Sequence, residues 1–223
     1  MTRVNAAGTP EYQKLREAYI RFYGTSPQTF EKKVVIGRKS QLAAEIFDCS
    51  GKEVLPDGTE ELYKVKKVVI SSSDRPIYEY TAYYECPSHM LLNLISHANG
   101  REYLIFNREL YGYSVLDIQS LQTADFIPAE MLEGKEAFIW TGTIYCPHTN
   151  VLAVNGCYWA CPWYVEFYDF SDPMSVPLPF LGDTYEYPVK KYGNNPVNTE
   201  IHSRRRVDNK CRRTDQTVCQ RAN

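Results

Sequence analysis

Three Cys-Pro dipeptides mark the middle of this 223-residue chain, and two of them have a histidine close behind. Cys86-Pro-Ser-His89, Cys146-Pro-His148 and Cys157-Tyr-Trp-Ala-Cys161-Pro162 together offer four thiols and two imidazoles. Two chemistries use such groups. Zinc takes thiolate and imidazole ligands in a tetrahedron, commonly as two close pairs from separate turns, and Cys86, His89, Cys146 and His148 make one such set. A cysteine nucleophile needs a base and a group that orients the base. Cys157 or Cys161 would be the nucleophile, with His148, His89 or His97 as the base and Asp169 behind it, in a metal- or thiol-dependent hydrolase. The spacings match neither the close Cys pairs of zinc turns nor a protease or redox signature. A plainer role accounts for each dipeptide. Proline has no N–H, so it ends a strand ladder and sets φ for the turn, and the cysteine before it is a small, buried strand-end residue. The primary reading therefore assigns no catalytic residue, no metal and no cofactor, with zinc and the thiol site kept as alternatives.

Aromatic residues supply a different chemistry, that of recognition. Eighteen tyrosines is a high count for this length. Tyr78, Tyr80 and Tyr84 fall on one face of a strand-like run, IYEYTAYY, and Tyr158, Trp159 and Trp163 crowd the segment GCYWACPW. Tyrosine and tryptophan combine rigid contact area with a polar tip, which suits them to binding surfaces. They are also good strand formers that pair well across a sheet, so core packing competes with recognition for the same residues. Templates for other reactions are absent: G-x-S-x-G, H-E-x-x-H, the Walker A loop and G-x-G-x-x-G do not occur.

The elements that must position these groups are mostly strands. One amphipathic helix opens the chain, EYQKLREAYIRFYG, with Leu15, Ala18, Tyr19 and Phe22 on one stripe and Gly24 as its stop. From about residue 33 to 188 the pattern changes to short β-branched and aromatic runs. These are 34–36, 42–48, 62–70, 77–84, 90–95, 102–106, 113–118, 137–145, 151–154 and 163–170, separated by turn pairs such as Asp57-Gly58 and Asn99-Gly100. A single helical turn is expected at 128–134. No long helices alternate with the strands, so the fold class is mainly β with antiparallel sheets.

Two stretches resemble each other. Residues 102–118, EYLIFNRELYGYSVLDI, are echoed by 150–170, NVLAVNGCYWACPWYVEFYDF: a strand, a linker, then a strand whose next-to-last residue is Asp117 or Asp169. EIFDCSG, 45–51, offers a weaker third copy. A polar turn, an apolar strand and a strand ending in Asp resemble the blades of WD40-like β-propellers over about residues 88–180, without the Gly-His and Trp-Asp dipeptides of WD40 blades. The resemblance implies a propeller-like architecture; a β-sandwich with two similar hairpins is the alternative. Asp117 and Asp169, at equivalent places, are expected to accept hydrogen bonds from the turns after them.

Charge divides the chain. The net charge is −2, but residues 201–223 carry seven basic residues against Asp208 and Asp215, leaving −7 for the first 200. All thirty Phe, Trp and Tyr residues also lie in those first 200. A basic tail without aromatics cannot bury enough surface to order itself, so one β domain is expected over 1–193 and a disordered extension over 194–223. An acidic body argues against nucleic acid as a partner. The chain has no run of about twenty apolar residues and no apolar segment near its start, so a cytoplasmic protein with no membrane partner is expected. Seven cysteines, an odd number, fit reduced thiols. The partner is an unknown protein or small ligand, and unpaired sheet edges admit a homodimer. The expected function is a non-catalytic binding module.

Overall fold

A computed structural model describes residues 3–23, 26–37, 41–83, 90–159 and 162–184. Tyr84, Cys86, His89, Cys161 and the whole stretch from residue 185 onward, including the domain boundary expected near 193, lie outside the described residues.

The described chain is mainly β and antiparallel. Helix α1 (Pro10–Tyr23) precedes β1 (Thr29–Gly37), β2 (Leu42–Asp48), β3 (Gly51–Val54), β4 (Glu60–Tyr63), β5 (Val65–Ser72) and β6 (Arg75–Tyr83). Then come β7 (Leu92–Ser96), β8 (Glu102–Phe106), β9 (Tyr113–Asp117), β10 (Thr123–Phe126) and the short helix α2 (Ala129–Leu132). The last four strands are β11 (Ile139–Cys146), β12 (Val151–Cys157), β13 (Tyr164–Asp169) and β14 (Phe180–Thr184). They form three four-stranded sheets in the orders β1-β2-β5-β6, β7-β8-β9-β10 and β11-β12-β13-β14, with β3-β4 as a separate hairpin inserted in the first.

The sheets stack face to face. In the middle sheet, alternate residues point to opposite neighbours: Leu104, Phe106 and Leu116 pack with Ile46, Val68 and Ile70 of the first sheet, whereas Tyr103, Ile105 and Val115 pack with Trp140, Leu152 and Tyr168 of the third. A strand covered on both faces reads as a continuous apolar run, which is why EYLIF and YSVLD show almost no alternation. The outward face of the first sheet is instead polar, with Lys33 3.4 Å from Glu45 and Lys67 3.1 Å from Glu79. The first strands of the three sheets adjoin, β1 beside β7 and β7 beside β11. There Asn93 Nδ2 donates to the Thr143 carbonyl at 2.8 Å and to its hydroxyl at 2.6 Å.

The structure adds three strands to those read from the sequence: β3, β10 and β14. The latter two, TADF and FLGDT, are outermost and carry few β-branched residues. The run 62–70 is two strands, broken at Lys64 where the inserted hairpin returns to the first sheet. The stretches 102–118 and 150–170 occupy the same places, second and third strands of four. Asp117 Oδ1 accepts from the Gln119 amide at 2.9 Å, and Asp169 Oδ1 accepts from the Ser171 amide at 2.9 Å. Both aspartates fold the turn that leaves their strand. EIFDCSG, by contrast, ends a second strand, with Asp48 accepting from the Ser50 amide.

Candidate functional site

The segment before α1 is the unexpected contributor. It runs antiparallel beside residues 127–129, with Ala6 N donating to Ile127 O at 2.8 Å and Ala129 N donating to Val4 O at 3.0 Å. Asn5 clamps it: its Nδ2 donates to the Asp125 carbonyl, and its Oδ1 accepts from the Ile127 amide at 3.1 Å and the Ala7 amide at 3.0 Å. So held, the chain aims Arg3 across to the third sheet. The guanidinium donates to Glu166 Oε2 at 2.9 Å and to the Tyr168 hydroxyl, which in turn donates to Glu166. It also sits 5.1 Å from the ring centres of both Tyr168 and Phe180. A cation over an aromatic face contributes about 0.5–1 kcal/mol when exposed and about 2 when desolvated.

Next to Arg3 a cleft of about 430 Å³ opens between the second and third sheets. Phe138, Tyr158 and Tyr164 form its aromatic wall, with ring centres 5.0–5.9 Å apart. Trp140, stacked on Tyr113 at 4.1 Å, lies beneath. Glu130 and Glu136 stand on the α2 side, and Glu166 and Asp183 come from opposite register positions on β13 and β14. Four carboxylates and one guanidinium thus line the cleft.

Two glycines keep this space open. A Cβ on Gly112, whose φ is +93°, would stand 2.3 Å from the Phe126 carbonyl. One on Gly156 would stand 2.1 Å from the Ile139 carbonyl and 2.6 Å from the Phe138 ring. Real Cβ atoms do not approach so closely, so Gly156 is what lets Phe138 lie flat on the wall.

The electrostatics suit a cation. Burial raises the Glu166 carboxyl above its usual range, while Arg3 and Tyr168 pull it back. Burial works against the charge on Arg3, but Tyr168 and Glu166 outweigh it, so the guanidinium stays protonated. Burial also raises the Tyr158 and Tyr164 hydroxyls, with neighbouring acids adding to the effect, and both remain neutral phenols near pH 7. Their faces are free of competing anionic charge.

The residues singled out by sequence fall in three groups. Tyr158 lines the cleft, and Trp159 and Trp163, its neighbours in the linker, are 44% and 51% exposed. Tyr80 belongs to the interior, and Tyr78 is partly buried beside it. Tyr80 is 4% exposed with its ring 4.2 Å from Phe106, and the Tyr78 hydroxyl accepts from Arg108 at 2.7 Å. Their face of β6 is the one that packs on the middle sheet.

The thiol and imidazole groups are not brought together. Cys146 pairs with Val151 at one end of β12 and Cys157 pairs with Ile139 at the other. Six residues at about 3.4 Å each put roughly 20 Å between the two ends, so His148, beside Cys146, is out of reach of Cys157. Nor is His97 a base for either cysteine: its Nε2 is held 2.9 Å from the Phe170 carbonyl in the interior. Cys146 has its pKa lowered by the Thr149 hydroxyl and the turn amides, a local effect of the turn. Among the described residues no three His, Cys, Asp or Glu side chains converge as a metal site. None of Arg3, Glu166, Tyr164 and Asp183 was singled out from the sequence; the acid–aromatic alternation of WYVEFYDF was the available signal.

No family model matches the chain, and no solved structure matches it. It is similar to an uncharacterized protein of Acanthamoeba polyphaga mimivirus, 44% identical over 56 residues. That stretch is 23% of this chain and 22% of the relative, so the likeness spans about a fifth of the curated protein. Among the described residues no helix is long and apolar enough to cross a membrane.

Proposed function

We propose that this chain is a binding module that recognises a cationic group, best of all a guanidinium, in the cleft between its second and third sheets. The observation that carries the reading is Arg3, already seated there against Glu166, Tyr168 and Phe180. The chain's own arginine displays the chemistry the cleft accepts, and the remaining volume repeats it with Tyr158, Tyr164 and three more carboxylates. Arginine fits better than lysine because its planar fork meets carboxylates two at a time and stacks on aromatic rings. The three sheets are read as propeller-like blades. Each is an antiparallel four-stranded sheet in chain order, the first with the β3-β4 hairpin inserted, and their first strands adjoin as inner strands of such blades would.

The test is a titration with a hexa-arginine peptide, monitored by tryptophan fluorescence. Trp140 lines the cleft, so occupancy changes its emission. Saturable binding that weakens in Tyr164→Ala and in Glu136→Gln supports the reading. Equal affinity in the parent and both variants would place binding elsewhere and overturn it.

A further inference from the structure

The segment before α1 is fixed firmly only as far back as Asn5. Asn5 makes three hydrogen bonds, Ala6 N donates to Ile127 O at 2.8 Å, and Ala6 is buried against Tyr12 and Ile127. Helix α1 is anchored separately, through Tyr12 and Arg16 on Glu109. Before Asn5 the backbone hold thins to one bond, Ala129 N to Val4 O at 3.0 Å, and the Val4 side chain is exposed. The other contacts described for Arg3 are those of its own guanidinium with Glu166, Tyr168 and Phe180. Burial runs the other way. The Arg3 side chain is 27% exposed and the Glu166 side chain on which it sits is 3% exposed. Glu166 is the one fully buried carboxylate of the four, and among the described residues lining the cleft Arg3 alone is basic. While Arg3 is seated, Glu166 has nothing to offer an incoming cation.

We infer that Arg3 is a built-in competitor for the cleft, and that residues 3 and 4 form an autoinhibitory arm, hinged at Asn5, which an external guanidinium must lift to reach Glu166. The device rests on the cation-binding reading above and adds the regulation of that same cleft. Lifting the arm breaks one backbone hydrogen bond and leaves the Asn5 clamp, the sheets and α1 in place. The incoming guanidinium regains the contacts that Arg3 gives up, so the exchange is near balance and ligand concentration decides it. A ligand whose site is open for only a fraction of the time binds with its affinity reduced by that fraction. An arm seated about nine-tenths of the time therefore lowers the apparent affinity about tenfold.

The experiment titrates the full-length parent, Arg3→Gln and Arg3→Lys with hexa-arginine, with thermal melts to show that each is folded. Lysine keeps the charge but lacks the planar fork that meets a carboxylate and stacks on a ring. It therefore separates an emptied seat from a mere change in cleft charge. The expected result is a gain in affinity of about tenfold for Arg3→Gln and of a few-fold for Arg3→Lys. A gain in Arg3→Gln alone overturns the inference, because the lost charge would then account for it. Affinity no higher than the parent's in either variant overturns it too, and leaves the cleft reading standing. If Arg3→Gln does not fold, Arg3→Lys decides alone: tighter binding supports the arm, and unchanged or weaker binding overturns it. If none of the three chains binds hexa-arginine, the cleft reading falls and the inference falls with it.

Discussion

Two linkers join second to third strands in neighbouring sheets, residues 107–112 after β8 and residues 158–163 after β12, and the chain uses them in opposite ways. The first is spent on architecture. Asn107 Oδ1 accepts from the Leu91 amide at 2.9 Å; Arg108 reaches Tyr78 and Asp125; Glu109, 3% exposed, accepts from Tyr12 at 3.1 Å and Arg16 at 2.9 Å. Each charge that is buried has a partner, and the partners on α1 dock that helix. In the second linker the described aromatics stay open: Tyr158 is half-buried on the cleft wall and both tryptophans are exposed. The same place in two similar sheets yields a clamp in one and, on the reading proposed above, a recognition surface in the other. Which one results depends on whether the linker carries charges that pair inward or rings that face a gap.

The strongest way to break this contrast is to remove the clamp. Glu109→Ala removes the carboxylate that Tyr12 and Arg16 share, leaving Arg16 only the Thr81 carbonyl, and breaking a buried pair from one side costs about 3–5 kcal/mol. A denaturant melt should show that loss, while hexa-arginine binding by the folded fraction stays within about twofold. A cost below about 1 kcal/mol would mean that the first linker is not a clamp. Gly156→Ala comes next, because it touches the second linker's wall. Forcing a Cβ against the Ile139 carbonyl and Phe138 should destabilise by about 1–3 kcal/mol, and it should weaken hexa-arginine binding as Phe138 moves. Unchanged affinity would take Phe138 out of the site.

A smaller and cleaner effect separates recognition from stability. Tyr164→Ala removes one stacking face, with an expected loss of hexa-arginine affinity of about tenfold, or about 1.4 kcal/mol. Glu136→Gln, at an exposed position, should cost a few-fold in affinity with thermal stability inside about 0.5 kcal/mol. If Glu136→Gln lowers the melting temperature as much as it lowers affinity, the carboxylates belong to the fold and not to a site.

Much of the fold was legible because its inner strands are rich in Val, Ile, Leu and aromatic residues, and LAAEIFD and EYLIF give their strands to the residue. The outer strands were not, since TADF and FLGDT owe their strand state to pairing with β9 and β13 and not to their own composition. Tyr78 and Tyr80 misled for a related reason. Alternation shows that they share a face with Tyr84, but not which side of the sheet the next sheet covers. The cleft was half legible. Tyr158, Trp159 and Trp163 stood out as aromatics in a linker that departs from its counterpart. Arg3 and Asp183 did not, because a lone arginine and a lone aspartate 180 residues apart mean nothing until the fold sets them on either side of Glu166.

The pH dependence sharpens the contrast most, though its effect is the smallest. Burial raises the carboxyl pKa of both Glu109 and Glu166 above the ordinary value of 4.5. For each, the folded value exceeds the unfolded one. Its contribution to stability is therefore complete below about 4.5 and is lost as pH rises through the folded value. A bound cation has the reverse preference, since it gains from the carboxylate and not from the acid. Arginine keeps its charge throughout, so any change in affinity belongs to the protein. Acidification over the window from above the raised Glu166 value down to about 4.5 should therefore weaken hexa-arginine binding while Glu166's own contribution to stability grows. Glu166→Gln should flatten the affinity profile over that window. Glu109→Gln should leave it unaltered, because Glu109 carries its titration into the docking of α1 and has no ligand to report it. If Glu109→Gln flattens the profile as well, the two linkers are coupled, and the division between clamp and recognition surface does not hold.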